Sequence, residues 1–277
     1  MDVDRFIRDG YVAIRGAVDA ETVVACQELI WASMATRGVR RDDRATWPPL
    51  IEIDDLGAGP FAAAGMSPAL TAAYDGLIGR GRWTPLTDVG NAVVVRFPSE
   101  DRANAGYHIE GSYLGPAGQR WWVDIRSRAR GLLALFLFTD VGRGDAPTRL
   151  MCGSHLAVPE FLAPYGEEGT CSDAEFWRPS ALCLPVAHAT GSAGDVFLCH
   201  PFIVHTATWP HRGTAPRMIA QPAVHVADGF AVDGTDPSPV AQAIVAGLAR
   251  SGLPRVTWWA PAAGRVTRGV MAGCGCG

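Results

Sequence analysis

The sequence predicts a mainly β fold with flanking helices, an antiparallel sandwich or barrel, and three observations predict it. The middle of the chain carries short runs of large apolar or β-branched residues. Gly, Pro and Asp bound these runs, as they bound strands. The segments with helical periodicity gather toward the two ends.

Taken in order, "DAETVVACQELIWASM" (19–34) reads as a helix, with Asp19 as N-cap and Val23, Cys26, Ile30 and Met34 as its apolar stripe. "SPALTAAYDGLIG" (67–79) is a second helix, capped by Ser67 with Pro68 at its first position. "NAVVVRF" (91–97), "GLLALFLFTD" (131–140), "GDVFLCH" (194–200) and "RMIAQPAV" (217–224) read as strands, and the linkers "GRGDAPT" and "HATGSAGD" as turns. "SPVAQAIVAGLARSG" (238–252) is a third helix, opened by Ser-Pro and closed near a glycine. No internal repeat, low-complexity tract or long linker interrupts the chain. We expect one domain over 1–277: a helical N-terminal segment to about residue 90, a β core over about 91–225 and a helical or irregular extension over 226–277.

Bulk properties narrow the function. A net charge of −4 gives no reason to expect nucleic acid or an anionic membrane surface as partner. No apolar run approaches the ~18 residues a spanning helix needs. The start, "MDVDRFIRDGYVAIRG", alternates charges and does not read as a signal peptide. Seven cysteines, an odd number without CxxC pairs, suit a reducing cytoplasm. The terminal "CGCG" reads as a frayed tail, since two thiolates alone make a poor closed metal site. The chain has no lysine, so neither a Schiff base nor a P-loop lysine operates here. Oligomeric state leaves no mark in the sequence.

The chemistry concentrates in two stretches. In "AGYHIEGSY" (105–113), His108 and Glu110 stand two apart, which puts both on one face if the backbone is extended. Alone, His-x-Glu is a weak signal, and a pair of solvated loop residues would look the same. The second stretch, "GDVFLCHPFIVHTATWPHRGTAPRMIAQPAV" (194–224), adds specificity. A buried-looking strand, "DVFLCHPFIVH", delivers His205 at its far end, and Arg217 follows at the start of another apolar strand. An arginine in such a segment needs an anionic partner, either one of the chain's own acids or a ligand, because an unpaired buried guanidinium is costly. Two histidines and one carboxylate on one face of iron(II) leave three adjacent positions open, enough for a bidentate 2-oxo acid and dioxygen. A nearby arginine would hold the far carboxylate of that acid.

At these residues the sequence resembles the phytanoyl-CoA dioxygenase family of iron(II)/2-oxoglutarate oxygenases. "FIRDGYVAIRGAVDAETVVAC" (6–26) is similar to the family's N-terminal segment and first long helix, and "YHIEGSY" to its His-x-Asp. "GDAPTRLMCGSH" (144–155) is similar to its Gly-Ser-His turn, "GDVFLCHPFIVHTA" to the approach to the distal histidine, and "RMIAQP" to the arginine strand. The resemblance implies a double-stranded β-helix, or cupin-like jelly roll. It implies Fe(II) on His108, Glu110 and His205, with Arg217 on 2-oxoglutarate and O2 as co-substrate. Glu110 stands where aspartate is usual, one methylene longer, and retention of a carboxylate argues against halogenation. Ala207 replaces a serine that helps hold 2-oxoglutarate in relatives. Thr148, Thr206 and Thr208 are the candidate hydroxyls, with Thr148 preferred because its turn should lie over the sheet mouth. Arg96 occupies a strand that in relatives supplies a further contact to 2-oxoglutarate. His200 competes with His205 for the distal role, but only His205 stands at a family-like distance from Arg217. His155 reads as a turn-stabilising residue.

The implied activity is oxidation, by default hydroxylation, of a C–H bond in a small metabolite such as a natural-product intermediate, with release of succinate and CO2. The alternative is a non-oxygenase Zn or Mn enzyme, a hydrolase or isomerase, on the same fold. Tyr107, Tyr113, Trp121, Trp122 and Trp209 are candidates for a substrate pocket or for core packing. Arg120, Arg126, Arg128 and Arg130 read as a solvated loop or as an anchor for an anionic substrate group.

Overall fold

Every residue of Leu132–Leu137 is buried, and alternate side chains leave the strand in opposite directions. Leu132, Ala134 and Phe136 join the core beneath the helices, while Leu133, Leu135 and Leu137 join a second cluster with Leu150, Ile203 and Ile219. A strand covered on both faces requires an unbroken apolar run, and "LLALFL" is one.

The computed structural model describes residues 1–102, 106–116, 118, 120–172 and 184–250. Its strands are Tyr11–Ile14 (β1), Leu50–Ile53 (β2), Val93–Arg96 (β3), Tyr113–Leu114 (β4), Trp121–Val123 (β5), Leu132–Leu137 (β6), Arg149–Met151 (β7), Thr170–Cys171 (β8), Val186–His188 (β9), Val196–Cys199 (β10), His205–Thr206 (β11), Arg217–Ala220 (β12) and Ala223–Val224 (β13). The helices are Val3–Asp9 (α1), Ala20–Thr36 (α2), Gly59–Gly65 (α3), Pro68–Leu77 (α4), Val158–Leu162 (α5) and Pro239–Arg250 (α6). The main sheet runs β1-β10-β6-β12-β3-β2, with β13 also on β6, and every pairing is antiparallel. A second sheet, β11-β7-β9, brings Leu150 into the cluster shared with β6. A third, β4-β5-β8, lies apart in the pairing. This is the jelly roll with flanking helices.

The helix ends follow their caps. Asp19 Oδ1 accepts from the Thr22 N–H at 2.8 Å, Ser67 Oγ from Leu70 at 3.4 Å and Ser238 Oγ from Ala241 at 3.3 Å. The expected stripe of α2, Val23, Cys26, Ile30 and Met34, is its buried face.

Three expectations change. The N-terminal segment is not wholly helical: β1 and β2 come from it and form the two edges of the main sheet. "DVFLCHPFIVH" is not one strand. Its first half ends at Cys199, the chain turns with Ile203 N–H donating to the His200 carbonyl at 2.9 Å, and β11 belongs to the second sheet. Pro201 has no N–H to continue the ladder, and His200 Nδ1 takes the Phe202 N–H at 3.1 Å instead. "RMIAQPAV" likewise splits into β12 and β13 at Gln221–Pro222. The tail from residue 251, with "CGCG" and the expected end of the last helix, lies outside the described residues.

His155 ties the helices to the sheet. It is fully buried, and its Nε2–H donates to the Ile7 carbonyl at 2.9 Å. Gly10, at φ +86°, passes so close that a Cβ there would sit 2.5 Å from His155 Nδ1, so only glycine fits. Burial lowers the His155 pKa from 6.5 to about 4, and burial followed by the neighbouring His155 pushes His200 the same way. A histidine held neutral by the fold stabilises it fully above its unfolded pKa, and that contribution fades as pH falls toward the folded one. Between pH 7 and 4 the wild type should lose about 3 kcal/mol of unfolding free energy through His155 alone. Urea unfolding at several pH values, with His155→Asn alongside, checks this. Parallel pH profiles for the two proteins would refute it.

Candidate metal centre

His108 and His205 are ninety-seven positions apart and lie directly opposite each other. His108 N–H donates to the His205 carbonyl at 3.0 Å and His205 N–H to the His108 carbonyl at 2.9 Å. This isolated antiparallel bridge puts both side chains on one side, with ring centroids 4.4 Å apart. Glu110, two residues on, shares that face as its spacing predicted. One ligand-type atom from each of His108, Glu110 and His205 lies within 4.8 Å of the others.

The protonation pattern favours a cation between them. His108 Nδ1 faces the Gly106 carbonyl at 2.9 Å and His205 Nδ1 the Ile203 carbonyl at 3.1 Å. Carbonyls only accept, so each Nδ1 carries the hydrogen and each Nε2 presents a lone pair. His205 Nε2 is buried without a hydrogen-bond partner, 3.3 Å from Glu110 Oε1, and His108 Nε2 is 3.8 Å from the same oxygen. Burial, then the neighbouring His108, lowers the His205 pKa and keeps the imidazole neutral. Burial opposes the charged form of the Glu110 carboxyl, and the nearby Arg130 guanidinium favours it. Two neutral nitrogen donors and one carboxylate on one face form a donor set that suits a divalent transition metal.

The centre opens on a cavity of about 490 Å³ whose wall includes His108, Glu110, Thr148, His205, Arg217 and Arg96, so the residues singled out in the sequence share one space. Arg217 reaches it because β12 alternates: Ile219 joins the interior cluster, and Arg217, two before it, points the same way. Arg96 is its direct partner across β3 and β12. Arg217 is buried, its Nη1 donates to the Ala146 carbonyl, and its Nε has no acceptor. Among the described residues it has no carboxylate partner, so the structural salt bridge that could have explained it is not there. Burial, then Arg96, depresses its pKa to about 9, which leaves it charged at neutral pH.

Other candidates take other places. His200 is a core residue, packed on His155 and Phe202, with its Nε2–H on the Val240 carbonyl at 3.2 Å. Ser154 Oγ in the Gly-Ser-His turn accepts from Val204 N–H at 2.8 Å and donates to Met151, joining β7 to the approach to β11. Both Thr148 and Thr206 line the cavity, and the Thr206 hydroxyl is buried without a partner. The Thr208 hydroxyl is also unpartnered but lies off that wall. Of the five aromatics, Tyr107 alone is in the wall, and Trp121 is exposed. Arg126 and Arg128 are structural, paired with Glu167 at 3.2 Å and Asp124 at 3.0 Å.

Sequence reasoning missed two residues and misjudged the surroundings of a third. Glu52, on edge strand β2, and Gln221, at the β12–β13 break, line the cavity without any local signal. Arg130 is not solvated: its side chain is 11 % exposed and stands 3.8 Å from Glu110 Oε2.

No protein-family model matches this chain, and no curated protein matches it in sequence. Solved structures do match. The epimerase SnoN, in complex with Fe3+, α-ketoglutarate and nogalamycin RO, is 19% identical over 81% of this chain and 82% of its own, with a TM-score of 0.52. HygX from Streptomyces hygroscopicus, with nickel and 2-oxoglutarate bound, is 15% identical over 80% of this chain and 85% of its own, at 0.50. A hypothetical protein from Escherichia coli is 13% identical over 81% of this chain and 67% of its own, at 0.52. At these identities the likeness is one of fold: the chain shares the jelly roll on which two metal- and 2-oxoglutarate-bound proteins are built.

Proposed function

We propose that this chain is an Fe(II)/2-oxoglutarate-dependent oxygenase, similar to the phytanoyl-CoA dioxygenases, that oxidises a C–H bond of a small metabolite. The observation that carries the reading is Arg217: a buried guanidinium with no carboxylate partner among the described residues, in one cavity with a two-histidine, one-carboxylate centre. A zinc or manganese hydrolase would use the centre and leave the arginine unexplained. A dicarboxylate would use both, one end at the metal centre and the other on Arg217.

The residues fit iron and 2-oxoglutarate. His108, Glu110 and His205 would hold the iron, the Nδ1 contacts of both histidines fixing which nitrogen is offered. Arg217 would grip the C5 carboxylate of 2-oxoglutarate and so set its orientation. Arg96 adds positive charge beside it, and Thr148 or Thr206 supplies a hydroxyl to the same co-substrate. Bound there, iron with 2-oxoglutarate and O2 supplies the oxidising chemistry and leaves succinate and CO2. The volume falls within the roughly 300–1,000 Å³ of small-ligand sites. SnoN is an epimerase from nogalamycin biosynthesis, which supports a natural-product intermediate as substrate. We read the reaction as hydroxylation, the outcome that asks of the protein only that a C–H bond be held near the metal. Among the described residues no helix is long and apolar enough to cross a membrane, and a small molecule is the partner we assign.

Succinate formation from 2-oxoglutarate with Fe(II), ascorbate and O2 is the direct test. Wild type should turn over slowly even without prime substrate, and His205→Ala should lose the signal together with metal binding. Turnover surviving in His205→Ala would remove that residue from the centre. An anaerobic Fe(II)/2-oxoglutarate absorption titration isolates the arginine. Arg217→Ala should weaken 2-oxoglutarate by about 10- to 100-fold, the worth of one charged hydrogen-bonded contact, with metal affinity nearly unchanged. Undiminished affinity would remove Arg217 as the anchor, and no 2-oxoglutarate signal in wild type would return the chain to the non-oxygenase metalloenzymes.

A further inference from the structure

Arg130 is held against Glu110 more firmly than a loop residue need be. Its Nε and Nη2 both donate to the Gly111 carbonyl, at 3.2 and 2.9 Å, while Nη1 is buried with no acceptor. Nη2 lies 3.8 Å from Glu110 Oε2. The two oxygens of Glu110 are thereby divided: Oε1 faces the imidazole nitrogens of His205 and His108, at 3.3 and 3.8 Å, and Oε2 faces the guanidinium.

The backbone that delivers Arg130 is strained. Ser127 and Ala129, neither of them glycine, have φ of 49° and 69°, in the left-handed region that side chains disfavour. The turn is nevertheless over-determined. Ser127 Oγ donates to the Arg130 carbonyl at 2.8 Å, and Arg130 N–H to the Ser127 carbonyl at 3.2 Å. Asp124 Oδ1 accepts from the N–H groups of Arg126 and Arg128 at 2.9 and 3.2 Å, and His225 Nδ1 contacts the Ala129 carbonyl at 2.8 Å. Strain of this kind persists where surroundings enforce it, and it concentrates beside functional groups.

We propose that Arg130 is a positioning residue for Glu110: it holds Oε2 so that the carboxylate offers Oε1 alone to a metal. Glutamate has one more rotatable bond than aspartate, and without a fixed partner it can swing away or chelate through both oxygens. The guanidinium fork removes that freedom by binding the Gly111 carbonyl and facing the carboxylate at once. Lysine has no planar fork with which to fix that direction from two nitrogens on the Gly111 carbonyl. The inference rests on the metal-centre reading above.

Cobalt(II) titration of the metal-free protein, followed by its visible ligand-field bands, tests it without any substrate. Arg130→Gln should bind cobalt about 10- to 100-fold more weakly, the range for losing a partner of a metal ligand, with altered bands. Arg130→Lys should fall between it and wild type. Thermal midpoints of the metal-free proteins separate this from a general loss of structure, which would leave the bands of the bound form unchanged. Wild-type affinity and bands in Arg130→Gln would overturn the proposal. Should that variant not fold, Arg130→Lys decides by the same criterion. Failure of the underlying reading looks different: wild type itself would bind no cobalt, or His108→Ala would bind it equally well.

Discussion

Two backbone hydrogen bonds, exchanged between His108 and His205, are the contact on which the candidate centre depends. They join a segment that has no other strand partner there among the described residues to the short strand β11, and through β11 to β7. Side-chain geometry follows from them: directly opposed residues of an antiparallel pair share a face, and a residue two further along one strand shares it too. No long-range attraction between the imidazoles is needed. The metal-binding face is a consequence of register, and the side chains only complete what the backbone has already aligned.

Arginine does much of the electrostatic work around that face. Arg96, Arg130 and Arg217 all stand in or beside the cavity, two of them buried, in a chain without lysine. A guanidinium keeps its charge when desolvated far better than an ammonium does, and its planar fork can meet a carbonyl and a carboxylate together. Arg130 does so between Gly111 and Glu110. Arg217 uses one arm on Ala146 and leaves its buried Nε without an acceptor among the described residues. A buried cation without a counter-charge costs several kcal/mol, which makes it a marker for a ligand rather than for stability.

The legible parts of the site were those written in short-range pattern. His108 and Glu110 could be paired from their spacing, and Arg217 stood out as a charge at the head of an apolar strand. The helices were legible from their caps, Asp19 and Ser67, because capping is local chemistry. What escaped depended on tertiary placement. The apolar "PFIV" reads as continued strand, yet it is a buried turn, because proline and a histidine side chain rearrange its hydrogen bonds. Glu52 arrives from the edge strand β2, more than fifty residues before the metal motif. Arg130 looked like one more charge in an arginine-rich loop, and only the turn at Ser127–Ala129 reveals its direction.

The break after Cys199 has a mechanical meaning. Because the chain changes sheets there, His205 is carried by the second sheet while Arg217 and Arg96 are carried by the main one. The cavity is therefore the gap between two plates, with His205 on one and Arg217 and Arg96 on the other. A molecule spanning the two would act as a rivet: its binding free energy would add to the cohesion of the two sheets, and any loosening between them would be felt as lost affinity.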